Sequence, residues 1–240
     1  MLTINNLSKR FGGVTAVDGF NLKVSKGEIV TLLGPNGSGK TTVVKMIAGL
    51  LHPNNGSIEI SGHDLSKMPM LAKQQLGYVP DDPFVWSGMT GAEFLGFTGA
   101  LYGMDKQARG ERIPALLERF DIAGIADRAF EDYSRGNKQK FSILAGLLHR
   151  PEVLLVDEPI VGLDPSSAEV AETLFKEFRA SGGSLLLVTH TLPVAERVAD
   201  RIGILVYSKL RAFGTLSELR KQAKLPADAD LSRIYSALTA

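Results

Sequence analysis

The 240-residue sequence contains no cysteine, a single tryptophan and no long apolar run. The lack of cysteine excludes a disulfide framework, thiol catalysis and any cysteine-ligated metal. No apolar run reaches the roughly 18 residues that a membrane-spanning helix needs, and residues 1–6 lack the apolar segment of a secretory signal. If the protein serves a membrane, we therefore expect another chain to cross it.

An excess of charge of either sign is also missing. The 27 Lys and Arg residues nearly balance the 26 Asp and Glu residues, so the net charge is +1. Without a basic footprint, we expect no nucleic-acid partner. With 44% hydrophobic residues, the chain can bury a sizeable core, either as one large domain or as a core with an inserted lobe.

A glycine-rich stretch carries the strongest signal in the sequence. It matches the pattern G-x-x-x-x-G-K-[ST], lies after the apolar strand predicted over 28–33, and opens a helix predicted over 41–50. This setting predicts a nucleoside triphosphate site, whereas the alternative is an ordinary glycine-rich turn. The candidate nucleotide-binding residues are Gly34, Pro35, Asn36, Gly37, Ser38, Gly39, Lys40, Thr41 and Thr42.

The chemistry of phosphate binding assigns roles within this stretch. Gly34, Gly37 and Gly39 allow positive φ and close backbone approach, so that N–H groups surround phosphate oxygens at a helix N-terminus. Lys40 neutralises the outer phosphates. We expect the Thr41 hydroxyl to bind Mg²⁺ and Thr42 to donate to an inner phosphate.

Two carboxylates end a second apolar strand, predicted over 153–156. We expect Asp157 to lie near the Mg²⁺ bound by Thr41, and Glu158 to orient the attacking water. Adjacent acids at a strand end also occur as helix caps or solvated turns, which is the alternative interpretation.

Patterning along the chain predicts an α/β fold. Short strands over 1–33 indicate an antiparallel β lobe, the period is helical from Thr90 to about Phe120, and strands alternate with helices from Pro151. We predict a P-loop NTPase core (1–83 and 141–222) that includes the antiparallel β subdomain, an inserted helical subdomain (84–140) and a C-terminal tail (223–240).

Several motifs appear in the order typical of one family. On these motifs the chain resembles, along nearly its whole length, the ATP-binding subunits of ABC transporters, and most closely those of ABC-2 type exporters. The motifs are the aromatic Phe11, the glycine loop, Tyr78-Val79-Pro80-Asp81, Tyr133-Ser134-Arg135-Gly136-Asn137-Lys138-Gln139, Val156-Asp157-Glu158-Pro159, Gly162-Leu163-Asp164-Pro165 and Thr189-His190.

The resemblance implies roles for residues outside the glycine loop. Phe11 would stack on adenine, although core packing in the β lobe is the alternative. Ser134, Gly136 and Asn137 belong to the signature loop, which contacts ATP bound by the opposite subunit, and Ser134 is also expected to cap a helix beginning near Asn137. His190 would act as the switch histidine, so the catalytic candidates are Glu158, His190 and Lys40. Asp164 belongs to a loop that links the two sites of a dimer.

Three residues depart from the family pattern. Asp81 replaces a common glutamine but keeps the carboxylate oxygen that Mg²⁺ prefers, so the metal candidates are Thr41, Asp81 and Asp157. Asp82 is an alternative to Asp81. Arg135 replaces a common glycine, and it would either contact ATP or face solvent. Asn137 replaces a common glutamine.

The implied partners are a second ATPase subunit, identical or different, and a separate membrane permease. This places the protein in the cytoplasm, peripheral on the inner face of the cell membrane, with Mg²⁺ as cofactor. Residues 11–19 also resemble some amino-acid importers, but we favour export. The alternatives are a soluble ABC-type ATPase and a regulatory module that does not hydrolyse ATP. Phe84 and Trp86 are candidates for permease docking, whereas Phe94, Phe97 and Tyr102 are expected in the core.

Overall fold

We describe the protein from a computed structural model, which describes residues 1–83 and 88–239. The strands are β1 (Leu2–Phe11), β2 (Val14–Val24), β3 (Ile29–Leu33), β4 (Asn55–Ile60), β5 (His63–Asp64), β6 (Leu76–Val79), β7 (Val153–Asp157), β8 (Ser184–Val188), β9 (Arg201–Val206) and β10 (Lys209–Gly214). The helices are α1 (Lys40–Ile47), α2 (Pro69–Gln74), α3 (Gly91–Leu101), α4 (Lys106–Arg119), α5 (Arg135–Leu148), α6 (Pro165–Ala180), α7 (Leu192–Val198), α8 (Leu216–Gln222) and α9 (Leu231–Thr239).

The larger sheet has six strands in the order β10-β9-β3-β8-β7-β6. Five of them run parallel, and β10 is an antiparallel edge strand. Every residue of β3, β7 and β8 is buried, as expected for parallel strands covered on both faces. Because β3, β8 and β7 are parallel neighbours, their carboxyl ends meet at one edge of the sheet, and the segments that follow them are brought together.

The smaller sheet is antiparallel, in the order β2-β1-β4-β5. Its first two strands have 10 and 11 residues, longer than the short strands that the sequence predicted. The register of β1 shifts near Asn6, which has φ +46°. A core cluster that includes Phe20 of this sheet, Met46 of α1 and Leu155 of β7 joins the smaller sheet to one face of the larger one. The predicted antiparallel β lobe is therefore present.

Helices α3, α4 and α5 lie in the segment 91–148, for which the sequence predicted helical periodicity from Thr90 to about Phe120 and a further helix beginning near Asn137. The helical conformation is interrupted between α3 and α4. Asp105 caps the start of α4 by accepting a hydrogen bond from Ala108 N at 2.7 Å. The predicted boundary at 140/141 falls inside α5. The division into subdomains stays a prediction.

An aromatic cluster fills the interior of this helical segment. The rings of Tyr133 and Phe141 stack at 4.9 Å between centroids, while Phe94 meets Phe130 edge-on at 5.4 Å. Phe97 is 40% exposed, so its predicted core position is wrong: it lies on the outer side of α3, away from the buried Leu95 and Gly99. Phe84 and Trp86 lie outside the described residues.

The C-terminal residues pack against the larger sheet. Leu231 and Ile234 of α9 are fully buried in a cluster with Ile204 of β9, and Arg220 donates to Ala229 O at 2.7 Å. Within 1–83 and 88–239, no helix combines the length and hydropathy that a bilayer crossing requires.

Candidate functional site: a phosphate cleft at the sheet edge

The glycine loop joins β3 to α1 at the sheet edge. Gly37 and Gly39 have φ +77° and +109°, where side chains other than glycine are strained. A Cβ on Gly39 would also lie 2.3 Å from Ala16 O. Gly34 does not have the positive φ that the sequence suggested, but a Cβ there would lie 2.3 Å from Leu205 O. Backbone approach, rather than backbone conformation, therefore requires glycine at 34.

Lys40 opens α1 and folds back over the loop. Its Nζ donates to the carbonyl oxygens of Gly34 at 2.6 Å and Pro35 at 3.0 Å. Burial lowers the pKa of this amine, against the opposing charges of Glu158 and Asp157. No acidic residue lies in the first turn of α1, so the positive end of the helix dipole is not neutralised locally. A cation and a helix N-terminus thus face the same space, which suits phosphate.

Asp157 is the last residue of β7 and is only 7% exposed. Burial, together with the negative charges of Glu158 and Asp81, raises its pKa to about 6, while Lys40 and Lys45 oppose the shift. Glu158 and Asp81 therefore lie close enough to Asp157 for their charges to affect its ionisation. A bound cation would stabilise the ionised form of the buried Asp157 carboxylate.

Glu158 follows β7 with φ +48°, an unusual conformation for a residue other than glycine. Its amide donates to Val188 O at 2.8 Å, which fixes the backbone against β8. Its carboxylate accepts a hydrogen bond from Thr189 Oγ1 at 2.8 Å and contacts His190 Nδ1 at 2.7 Å. Strain of this kind persists where the surroundings determine it, as at active sites. The base and the switch histidine predicted from the sequence are in contact, and Thr189 is a partner that the sequence did not indicate.

A cleft of about 610 Å³ contains most of the predicted residues. Those that line it are Asn36, Gly37, Gly39, Lys40, Thr41, Thr42, Asp81, Asp82, Asp157, Glu158 and His190. Residues that line it without having been assigned to this cleft from the sequence are Ala16, Lys45, Tyr78, Pro80, Arg135 and Val161. The predicted residues that are not among its lining are Phe11, Gly34, Pro35, Ser38, Ser134, Gly136 and Asn137.

Phe11 ends β1 and is 50% exposed, so the alternative that it belongs to the β-lobe core is wrong. Lys9 Nζ lies 5.4 Å from the centroid of its ring. An exposed ring at this position is available for stacking, and its role toward adenine stays a prediction.

Ser134 caps α5, as predicted, by accepting a hydrogen bond from Asn137 N at 3.3 Å. The helix begins at Arg135, two residues before the predicted start. A Cβ on Gly136 would lie 2.6 Å from Gly162 O, so the start of α5 is held close to the loop before α6. Asp164 in that loop caps α6 by accepting from Ser167 N at 2.9 Å.

Arg135 forms an ion pair within its own chain. Its Nη2 lies 3.0 Å from Asp81 Oδ1, and both residues line the cleft. The two predicted alternatives for Arg135 did not include this ion pair. Asp81 stays a metal candidate, but its carboxylate already has a cationic neighbour.

The oxygen donors in the cleft are of the kind that Mg²⁺ prefers. Over 1–83 and 88–239, no three or more His, Cys, Asp and Glu side chains form a metal cluster. Mg²⁺ is commonly bound by one or two carboxylates together with phosphates and water. The buried Asp157 carboxylate and the Thr41 hydroxyl in one cleft meet that requirement.

The strand, glycine loop and helix, with carboxylates at the end of a neighbouring parallel strand, define the class of P-loop nucleoside triphosphatases. Comparison with known proteins gives the family. The ABC transporter family model matches residues 17–161. Among curated relatives, the ABC-type transporter ATP-binding protein EcsA of Bacillus subtilis is 34% identical over 100% of this chain and 96% of its own length. The linearmycin resistance ATP-binding protein LnrL of the same species is 35% identical over 91% of this chain and 70% of its own length.

Solved structures agree. The ATP-binding subunit of an ABC transporter superimposes with a TM-score of 0.96 at 33% identity, covering 100% of both chains. The cassette MJ0796, solved as a dimer in a post-hydrolysis state with ADP and Pi, superimposes with a TM-score of 0.82 at 25% identity, covering 90% of this chain and 99% of its own. The chain belongs to the ABC transporter family as an ATP-binding subunit, and it is an ATPase.

Proposed function

We propose that this subunit hydrolyses MgATP at composite sites between two ATPase subunits and drives export through a separate membrane permease. The observation that carries the proposal is the fixed carboxylate of Glu158. It is held between Thr189 and His190 in the cleft that also contains Lys40 and Asp157. A carboxylate in this position can orient water for in-line attack on a phosphate.

The residues predicted to bind phosphate, metal and water have separate tasks in this proposal. Lys40 and the glycine-loop amides hold the phosphates, while Thr41 and Asp157 hold Mg²⁺, with Asp81 as a further candidate ligand. The ion supplies charge neutralisation for phosphoryl transfer when it is bound. Glu158 orients the attacking water and accepts a proton from it. His190 keeps the Glu158 carboxylate in place.

The second half of each site is proposed to come from another subunit. Ser134, Gly136 and Asn137 do not line the cleft of their own chain, yet they stand at the N-terminus of α5, where a phosphate is attracted. The dimeric cassette MJ0796 supports an arrangement of two subunits.

Export is favoured by the relatives. LnrL is a linearmycin resistance protein, and the DrrA protein of Streptomyces peucetius, 34% identical over 90% of this chain and 66% of its own length, is a daunorubicin/doxorubicin resistance protein. We propose a cytoplasmic subunit peripheral on the inner face of the membrane. A groove of about 190 Å³ lined by Tyr78, Phe94 and Tyr102 is suited to receive part of the permease.

The first test is Glu158→Gln. Because it removes the base but keeps the hydrogen-bonding size, we expect phosphate release to fall at least about 10²-fold while ATP binding is retained. Glu169→Gln, at an exposed position of α6, is the matched control and should keep full turnover. Full turnover in Glu158→Gln would contradict the proposal.

The second test addresses the composite site and the partner. In the Glu158→Gln background, Ser134→Arg should abolish ATP-dependent dimerisation, whereas an intact dimer would reject a site shared between subunits.

Tagged Glu158→Gln, captured with ATP from membranes and cytosol, should bring down a multi-span protein. Recovery of ribosomes or DNA-repair proteins without a membrane protein would favour a soluble ATPase instead.

A further inference from the structure

Two residues that depart from the family pattern meet at the edge of the cleft. Arg135 is the first residue of α5, and Asp81 follows β6 at the start of the connection to the helical segment. They are 54 residues apart in sequence, yet Arg135 Nη2 lies 3.0 Å from Asp81 Oδ1. The departures are therefore a matched pair of opposite charges.

The backbone around Gly162 directs the arginine toward this partner. A Cβ on Gly162 would lie 3.3 Å from Arg135 Cδ and 3.4 Å from its Cγ, so the stem of the side chain runs along this glycine. The close approach of Gly136 to Gly162 O fixes the start of α5 at the same place. Arg135 consequently lines the phosphate cleft of its own chain, although it belongs to the segment proposed to serve the other subunit.

Asp81 has a second possible use in the same cleft. It lines the cleft together with Thr41 and Asp157, and carboxylate and hydroxyl oxygens are the donors that Mg²⁺ selects. The Asp81 carboxylate therefore contacts the guanidinium of Arg135 and shares its cleft with the two residues proposed to hold the metal. Its side chain is 49% exposed, so no packing fixes it to one of them.

We propose that Arg135 is a positioning residue that competes with Mg²⁺ for the Asp81 carboxylate and thereby sets how strongly the metal promotes nucleotide binding. The proposal rests on the MgATP function proposed above. Without metal, the ion pair is kept whether or not nucleotide is bound. With metal, Asp81 leaves Arg135, and the lost ion pair reduces the gain in affinity that the metal provides.

The measurement is the metal coupling factor, defined as the ATP dissociation constant in EDTA divided by that in saturating Mg²⁺. Calorimetry on full-length protein in the Glu158→Gln background gives both constants without turnover. Because exposed ion pairs contribute little, Arg135→Gln should raise the factor about two- to fivefold. Asp81→Asn should lower it. In the Asp81→Asn protein, adding Arg135→Gln should leave the coupling factor unchanged, because there is no longer a carboxylate at position 81 for Arg135 and Mg²⁺ to share.

The double variant separates this mechanism from others. An equal effect of Arg135→Gln with and without Asp81 would show a general charge effect and overturn the proposal, as would an unchanged factor in the single variant. Loss of affinity in both EDTA and Mg²⁺, with an unchanged ratio, would show that Arg135 contacts ATP directly, which also overturns it. Arg128→Gln, an exposed arginine of the same segment outside the cleft, is the control and should leave the factor unchanged. Failure of this test leaves the Glu158→Gln turnover result intact, so the two proposals fail separately.

Discussion

The two sides of the cleft are built differently. Asp157 and Glu158 lie at the carboxyl end of a strand whose residues are all buried, so packing of the sheet sets their positions. His190 follows a second such strand, and its exposed side chain is held by the contact with Glu158. Arg135 lies at the exposed start of α5, and Asp81 is only half-buried. Polar contacts and a close glycine approach hold this second side.

The two sides of the cleft are therefore suited to different tasks. The sheet side is preorganised for chemistry, which requires groups fixed within small distances. The helical side can change partners at low cost, because exposed ion pairs contribute little free energy. Rigid elements thus carry the reacting groups, whereas groups that change partners lie where few buried contacts must be broken.

Removing the core of the helical segment tests whether the two sides of the cleft are independent. Phe141 is fully buried and contacts the rings of Phe130 and Tyr133, so Phe141→Ala should lower the free energy of unfolding by about 3–5 kcal/mol. Phe141 belongs to a core cluster that also contains Val156 of β7, whereas the buried residues of α1, which follows the glycine loop, lie in a different cluster. The ATP affinity of the folded protein should therefore stay within about twofold. Urea unfolding and ATP binding measure the two quantities.

Leu101→Ala is the control, because Leu101 is 69% exposed at the end of α3 in the same segment. Its effect on stability should stay within about 0.5 kcal/mol. A large loss of ATP affinity in folded Phe141→Ala would show that the two sides are not independent.

A smaller effect is expected where α5 ends against the sheet. His149 stacks on Tyr102 at 3.6 Å between ring centroids, and burial, aided by the charge of Arg112, lowers its pKa to about 4. The folded pKa lies below the unfolded value, so the unfolded chain binds more protons between about pH 6.5 and 4. The contribution of neutral His149 to the free energy of unfolding is therefore fully present above pH 6.5, and it is lost as the pH falls toward 4.

Between pH 7 and pH 5, His149 should account for a loss of about 1–2 kcal/mol, allowing for its partial exposure. His149→Phe keeps an aromatic ring against Tyr102 but cannot titrate. Urea unfolding at both pH values should show a smaller loss for the variant by that amount. Equal losses in the two proteins would mean that His149 is not held neutral in the folded state.

Local patterns predicted the sheet side well. Spacing alone indicated the glycine loop and the acids after β7, and it gave α6 from Pro165 to Ala180 as the structure has it. Contacts between remote segments could not be predicted. Thr189 meets Glu158 across 31 residues, and Gly34 is required because Leu205 O comes close from β9. These contacts follow from strand order, which no local pattern contains.

The smallest effect tests whether the start of α5 does more than begin a helix. Ser134 caps α5 by accepting from Asn137 N at 3.3 Å, and Asp105 caps α4 in the same segment by accepting from Ala108 N at 2.7 Å. Ser134→Ala and Asp105→Ala should each cost about 1 kcal/mol of stability, because each leaves a helix N-terminus without its cap. If Ser134 also donates to a phosphate held by another subunit, only Ser134→Ala should weaken ATP-dependent dimerisation, by about tenfold, as expected for a hydrogen bond to a charged group. Light scattering in the Glu158→Gln background measures the dimer, and equal dimerisation in the two variants would reduce Ser134 to a helix cap.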